Sequence, residues 1–142
     1  GHKKADLMAE LDAQLQALDL SANVHFIGFQ QDSAAFLGQM DIFALSSSSE
    51  GFSIATIEAM ATELPVVATR CGGPEEILQH GKTGWLVAVN NPSELAKGLL
   101  HVLHDQPLQR ALALQGKQHA VNTFAMESLL NQYRHIYAGL IR

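Results

Sequence analysis

The chain has 142 residues, 47% of them apolar and 16% charged, which is enough for one domain with its own core and too apolar for a disordered segment. A net charge of −5 argues against a nucleic-acid-binding surface, although a phosphate site built from backbone N–H groups needs no net positive charge. Cys71 is the only cysteine, so no internal disulfide can form and a reducing compartment fits best; no apolar run has the length of a membrane span or a signal-peptide core.

In chain order, Leu7, Leu11, Leu15 and Leu18 recur at helical spacing and predict a helix over 5–18. The run Val24-His25-Phe26-Ile27, ending at Gly28, predicts a strand, and Asp32 is the expected N-cap of a short helix reaching Met40. A strand over 41–45 leads through Ser46–Ser49 into a helix over 53–63. A second strand over 65–69 leads through Gly72-Gly73-Pro74 into a helix near 75–79. The turn Gly81–Gly84 precedes a strand over 85–89. Helices then follow at about 93–104, 107–121 and 126–141, with Pro107 suited to a first helical turn. Strand–helix alternation of this kind predicts a single α/β domain, a Rossmann-like, doubly wound parallel sheet in three layers, α/β/α. Such a domain normally opens on a strand and this chain opens on a helix, so an N-terminal piece is expected to precede it. The open sheet edge that would result predicts self-association of these residues as a dimer.

The chemistry concentrates between Glu50 and Glu58, which bracket Glu50-Gly51-Phe52-Ser53-Ile54-Ala55-Thr56-Ile57-Glu58. One acid stands on the loop before a helix and the other about two turns along it. Between them lie the free N–H groups of a helix start, with Ser53 the expected N-cap. Two acids able to grasp hydroxyls, flanking an anion-binding helix terminus, suit a ligand with sugars at both ends and phosphate between, as in a nucleotide-sugar. Glu58 is the sole charge on its helix and is expected to border an apolar face, where a carboxylate needs a partner. Each acid also has a bland reading: Glu50 as a helix-terminus charge, Glu58 as an exposed residue paired with a nearby cation. His101 and His104 stand three apart on a helix without a third ligand nearby in sequence, a poor metal site.

Residues 46–87 resemble the donor-binding half of the retaining group 1 glycosyltransferases, which have the GT-B fold. The matching elements are Glu50 through Ala61, similar to that family's Glu-x7-Glu signature, Leu64-Pro65-Val66-Val67-Ala68, Gly72-Gly73-Pro74-Glu75-Glu76-Ile77 and Gly81-Lys82-Thr83-Gly84-Trp85-Leu86-Val87. Glu63 departs from the pattern, standing where a glycine is usual. Val24–Phe29 resembles the strand beside the nucleotide base, and Phe124–Tyr137 the closing helix.

Carried over by position, the resemblance implies that Glu50 is the catalytic residue, contacting the hydroxyls of the transferred sugar, and that Glu58 holds the ribose hydroxyls. Ser48, Gly51, Phe52, Ser53 and Ile54 would line the diphosphate and sugar, and Gly28 would lie against the base. The implied reaction moves a hexosyl unit from an NDP-sugar, UDP- or GDP-linked, to a glycan or lipid acceptor in polysaccharide or lipopolysaccharide biosynthesis. It implies no cofactor and no metal, an acceptor held by an N-terminal domain outside this chain, and a cytoplasmic enzyme with peripheral membrane association when full-length. The residues alone are expected to be inactive. A nucleotide-sugar epimerase of the same fold, and a non-catalytic nucleotide- or partner-binding module, are the alternatives.

Overall fold

The computed structural model describes residues 2–140, in two compact units, Gly1–Gln31 and Asp32–Arg142. The first holds α1 (His2–Ala17), which ends in a tight turn where Leu20 N–H donates to Leu15 O at 2.8 Å and Asp19 takes a φ of +54°. The predicted strand over Val24–Ile27 does not form; residues 24–30 are irregular. A strand exists only through a ladder partner, and among the described residues the backbone bond made by this stretch is a local turn bond, Val24 N–H to Leu20 O. Phe26, Ile27 and Phe29 are accordingly exposed.

The second unit is built on three parallel strands, β1 (Phe43–Leu45), β2 (Val66–Thr69) and β3 (Trp85–Val87), in the order β1-β2-β3. The register pairs Ala44 with Val67 and Ala68 with Leu86. Four strands were expected and three are present among the described residues, but the α/β class and parallel arrangement hold. Helices α2 (Ser33–Leu37), α3 (Ile54–Ala61), α4 (Gly73–Ile77), α5 (Pro92–His104), α6 (Gln106–Phe124) and α7 (Met126–Leu140) complete the chain. Asp32 caps α2 as expected, its carboxylate accepting from Ala35 N–H at 2.9 Å, and Asp105 does the same for Leu108 at the start of α6.

All four residues of β2 are buried, as a central strand covered on both faces requires. Successive side chains alternate between two cores. Val66, Ala68 and Leu86 join Met60, Ala59, Ile77 and Ala120 on one face. Val67 and Val87 join Val102 and Leu112 on the other, with Trp85 and Leu95 at its margin. The sheet therefore lies between helical layers. At the edge strand β3, side chains occupy the outward amides: His80 Nδ1 accepts from Leu86 N–H at 3.0 Å, and Glu94 Oε1 from Ala88 N–H at 3.1 Å. Those two amides are therefore not free to pair with another chain.

Candidate functional site

The loops leaving the carboxyl ends of β1 and β2 lie side by side, the location where open parallel sheets place ligands. Thr69, at the end of β2, donates its hydroxyl to Ser47 O at 2.6 Å and, more weakly, to Leu45 O at 3.4 Å. Glu50 N–H donates to Cys71 O and Gly73 N–H to Glu50 O, both at 2.9 Å, so Glu50 and Gly72 form a one-rung parallel bridge. Glycine is required on the far side of this seam. Gly72 has a φ of +108°, and a Cβ on it would lie 2.7 Å from Glu50 O; a Cβ on Gly73 would overlap Gly51 O. Main chain thus packs on main chain, and the Glu50 loop is pinned at both ends.

Within the loop Glu50 is half-buried, and its Oε2 accepts from Ser47 Oγ at 3.2 Å, which orients the carboxylate. Ser48, Gly51, Phe52 and Ile54 are exposed. Phe52 is held edge-on against Phe124 of α6, with ring centroids 5.9 Å apart. Ser53 occupies the N-cap position of α3, yet its hydroxyl makes no cap bond. It is buried and instead shares a 2.9 Å hydrogen bond with Thr56 Oγ1. The consequence is chemical. Among the described residues the amides of Gly51, Phe52, Ser53, Ala55 and Thr56 have no protein acceptor, leaving a cluster of donors at the positive end of the α3 dipole.

Glu58 lies on the exposed side of α3 with Ile54, Ala55 and Ala61, while Thr56, Ala59 and Met60 face the core. The expected apolar border is there, but solvent rather than protein covers it, so the carboxylate needs no internal partner. It has none: among the described residues the recorded ion pair is Lys117–Glu63 at 2.9 Å, and no hydrogen bond reaches the Glu58 side chain. The bland reading of Glu58 as half of a surface pair therefore finds no cation. The helix bearing Glu58 and the loop bearing Glu50 are one continuous element, which brings together every predicted site residue except Gly28. Gly28 belongs to the first unit, where it takes a φ of +67°.

Three contributors escaped the sequence reading: Ser47, which orients Glu50; Thr69, which ties down its loop; and Phe124, which seats Phe52. A hydroxyl at the end of an otherwise aliphatic buried strand was the available signal for Thr69. Among the described residues no group of three or more His, Cys, Asp or Glu side chains is arranged to hold a metal ion; His101 packs at a tilt against Trp85 with centroids 4.8 Å apart.

Residues 5–119 match the family described as glycosyl transferases group 1. The chain belongs to that family. Among curated group 1 relatives, N-acetyl-alpha-D-glucosaminyl L-malate synthase of Bacillus anthracis is 31% identical over 97% of this chain and 40% of its own length. The lipopolysaccharide core biosynthesis glycosyltransferase LpsE of Rhizobium meliloti is 31% identical over 86% of the chain and 36% of its own. The chain thus spans about two fifths of the length of these relatives. Among solved structures, Anabaena HepE in complex with UDP and glucose superposes with a TM-score of 0.90 at 27% identity, covering 98% of this chain and 38% of that one. The C-terminal domain of a group 1 protein, LpcC of Francisella tularensis, shares the fold at a TM-score of 0.78 and 24% identity, covering 87% and 65%. Among the described residues no helix of this glycosyltransferase chain is long and apolar enough to cross a membrane.

Proposed function

We propose that the chain is the donor-binding part of a retaining glycosyltransferase that moves a hexosyl unit from a UDP-sugar to a glycan or lipid acceptor. The observation that carries this reading is the cluster of uncommitted amides at the start of α3, flanked by Glu50 and by an unpartnered Glu58. In this reading the amides of Gly51, Phe52 and Ser53, with the α3 dipole, meet the diphosphate and stabilise the charge that develops as it leaves, without a metal. Glu58 takes the ribose hydroxyls. Glu50, oriented by Ser47, takes hydroxyls of the sugar being transferred. Because Ser53 and Thr56 satisfy each other, neither hydroxyl competes for those amides, and the site is organised before the ligand arrives. The similarity to HepE, solved with UDP and glucose, supports uridine as the base. Relatives in lipopolysaccharide and capsular polysaccharide biosynthesis support a cell-surface glycan as the product class.

Calorimetric titration of the full-length protein with UDP, GDP and ADP, repeated on Glu58→Gln, tests the assignment. Hydrogen bonds to a charged group contribute about 1.5–3 kcal/mol, so Glu58→Gln should weaken UDP roughly 10- to 100-fold. Its unfolding midpoint should not move, since the side chain is exposed and, among the described residues, makes no hydrogen bond or ion pair. UDP affinity equal to wild type would remove Glu58 from the ribose.

A further inference from the structure

A cavity of about 540 Å³ opens beside β3 and α5, lined by Arg70, His80, Trp85, Glu94, Lys97 and His101 and by none of the residues assigned to the Glu50 loop. Its volume falls in the range of small-molecule sites. Three rings form a row along it: His80 and Trp85 have centroids 4.5 Å apart, and Trp85 and His101 4.8 Å.

The polar groups of this groove are unbalanced in one direction. Glu94, the one carboxylate lining it, is committed on both oxygens, Oε1 to Ala88 N–H and Oε2 to the Asn91 amide. His80 accepts from Leu86 N–H through Nδ1, which leaves the neutral ring's proton on Nε2 as a donor. The Trp85 indole N–H has no protein acceptor and is not buried. Arg70 and Lys97 are exposed and, among the described residues, make neither ion pair nor side-chain hydrogen bond. Among the described residues the groove therefore offers donors and two cations against one carboxylate, whose two oxygens already accept an amide each, in a chain whose net charge is −5. An acceptor-rich anion is the complement of such a surface.

We propose that this groove is a second binding site, for an anionic saccharide: a sugar bearing a phosphate or carboxylate, its ring against the His80–Trp85–His101 row and its acid group met by Arg70 and Lys97. The preference for a saccharide rests on the transferase reading; the preference for an anion rests on the groove alone.

Trp85 is the single tryptophan of the 142 residues and lines this groove, not the Glu50 loop, so the part of a fluorescence change that Trp85→Phe removes reports the groove. Titration with glucose 1-phosphate should give a saturable change. Lys97→Ala and Arg70→Ala should each raise the midpoint roughly tenfold, and Lys97→Arg should restore it. Both side chains are exposed, so circular dichroism should show an unchanged fold. A change that survives in the Arg70→Ala/Lys97→Ala double variant, or no change with any anion, overturns the site. Inorganic phosphate matching glucose 1-phosphate overturns the saccharide and leaves UDP calorimetry, and with it the transferase reading, untouched. Glucose alone matching glucose 1-phosphate overturns the anion.

Discussion

Replacing Gly73 by alanine isolates the packing that positions Glu50. Gly73 opens α4, and its φ is not in the left-handed region, so helix propensity alone favours alanine by about 0.5–1 kcal/mol. The packing predicts the opposite sign. A Cβ there would overlap Gly51 O and would stand 2.9 Å from Gly51 C and 3.1 Å from Ser53 N, all main-chain atoms that cannot rotate aside. The two loops must separate, which stretches Gly73 N–H to Glu50 O and Glu50 N–H to Cys71 O, both now 2.9 Å. Two such bonds contribute about 1 kcal/mol each, and overpacking adds about 1–3 kcal/mol, for a total near 3–5 kcal/mol. Against a domain stability of about 5–15 kcal/mol this is a large fraction, equivalent to a loss of roughly 10–20 °C in Tm. Urea and thermal unfolding followed by circular dichroism provide the assay, with Gly51→Ala as control. A Cβ on Gly51 meets nothing within 4 Å, so its shift should stay below about 1 kcal/mol. Gly73→Ala at or above wild-type stability, or indistinguishable from Gly51→Ala, would refute the reasoning.

Thr69→Val keeps the shape but removes the donor to Ser47 O at 2.6 Å, and should cost about 1–3 kcal/mol by urea unfolding; a change within about 0.5 kcal/mol would show that the bond does not anchor the loop. Glu63 holds a φ of +62° just past α3, where a non-glycine residue costs about 1–2 kcal/mol, while its exposed pair with Lys117 returns only about 0.2–1 kcal/mol. Glycine also loses about 0.4–1 kcal/mol more chain entropy on folding, so Glu63→Gly should leave Tm within a few degrees of wild type, and a fall of more than about 5 °C would contradict this balance. Because the chain spans 40% of the malate-linked relative, we expect the 142 residues alone to bind UDP weakly and to transfer no sugar. Radiolabelled transfer by them would overturn that expectation.

Periodicity carried the architecture well, because a buried strand or an amphipathic helix writes its partner's existence into its own side chains. The three sheet strands, the caps at Asp32 and the turn at Gly81–Gly84 were all legible for that reason. Val24–Ile27 misled, since an apolar run records a preference for pairing without recording whether a partner is present. The site divided along similar lines. Glu50, Gly51, Ser53 and Glu58 were readable because one local element carries them. The roles of Thr69 and Phe124 were not, since each acts across a gap in sequence, Thr69 on Ser47 and Phe124 on Phe52. Ser53 shows a subtler limit: its cap position was readable, but the diversion of its hydroxyl to Thr56 depends on burial.

The seam between Glu50-Gly51 and Gly72-Gly73 also decides what can be exchanged between such domains. Glu50-Gly51 and Gly72-Gly73 are separated in the chain by a whole helix and strand, yet they meet backbone to backbone, with no side chain on either glycine to absorb a mismatch. A chimera that imports only the first loop would press a foreign carbonyl onto a glycine shaped for another. Grafts that move both loops together should fold where single-loop grafts fail, which makes the pair, rather than either motif, the smallest transplantable part of the site.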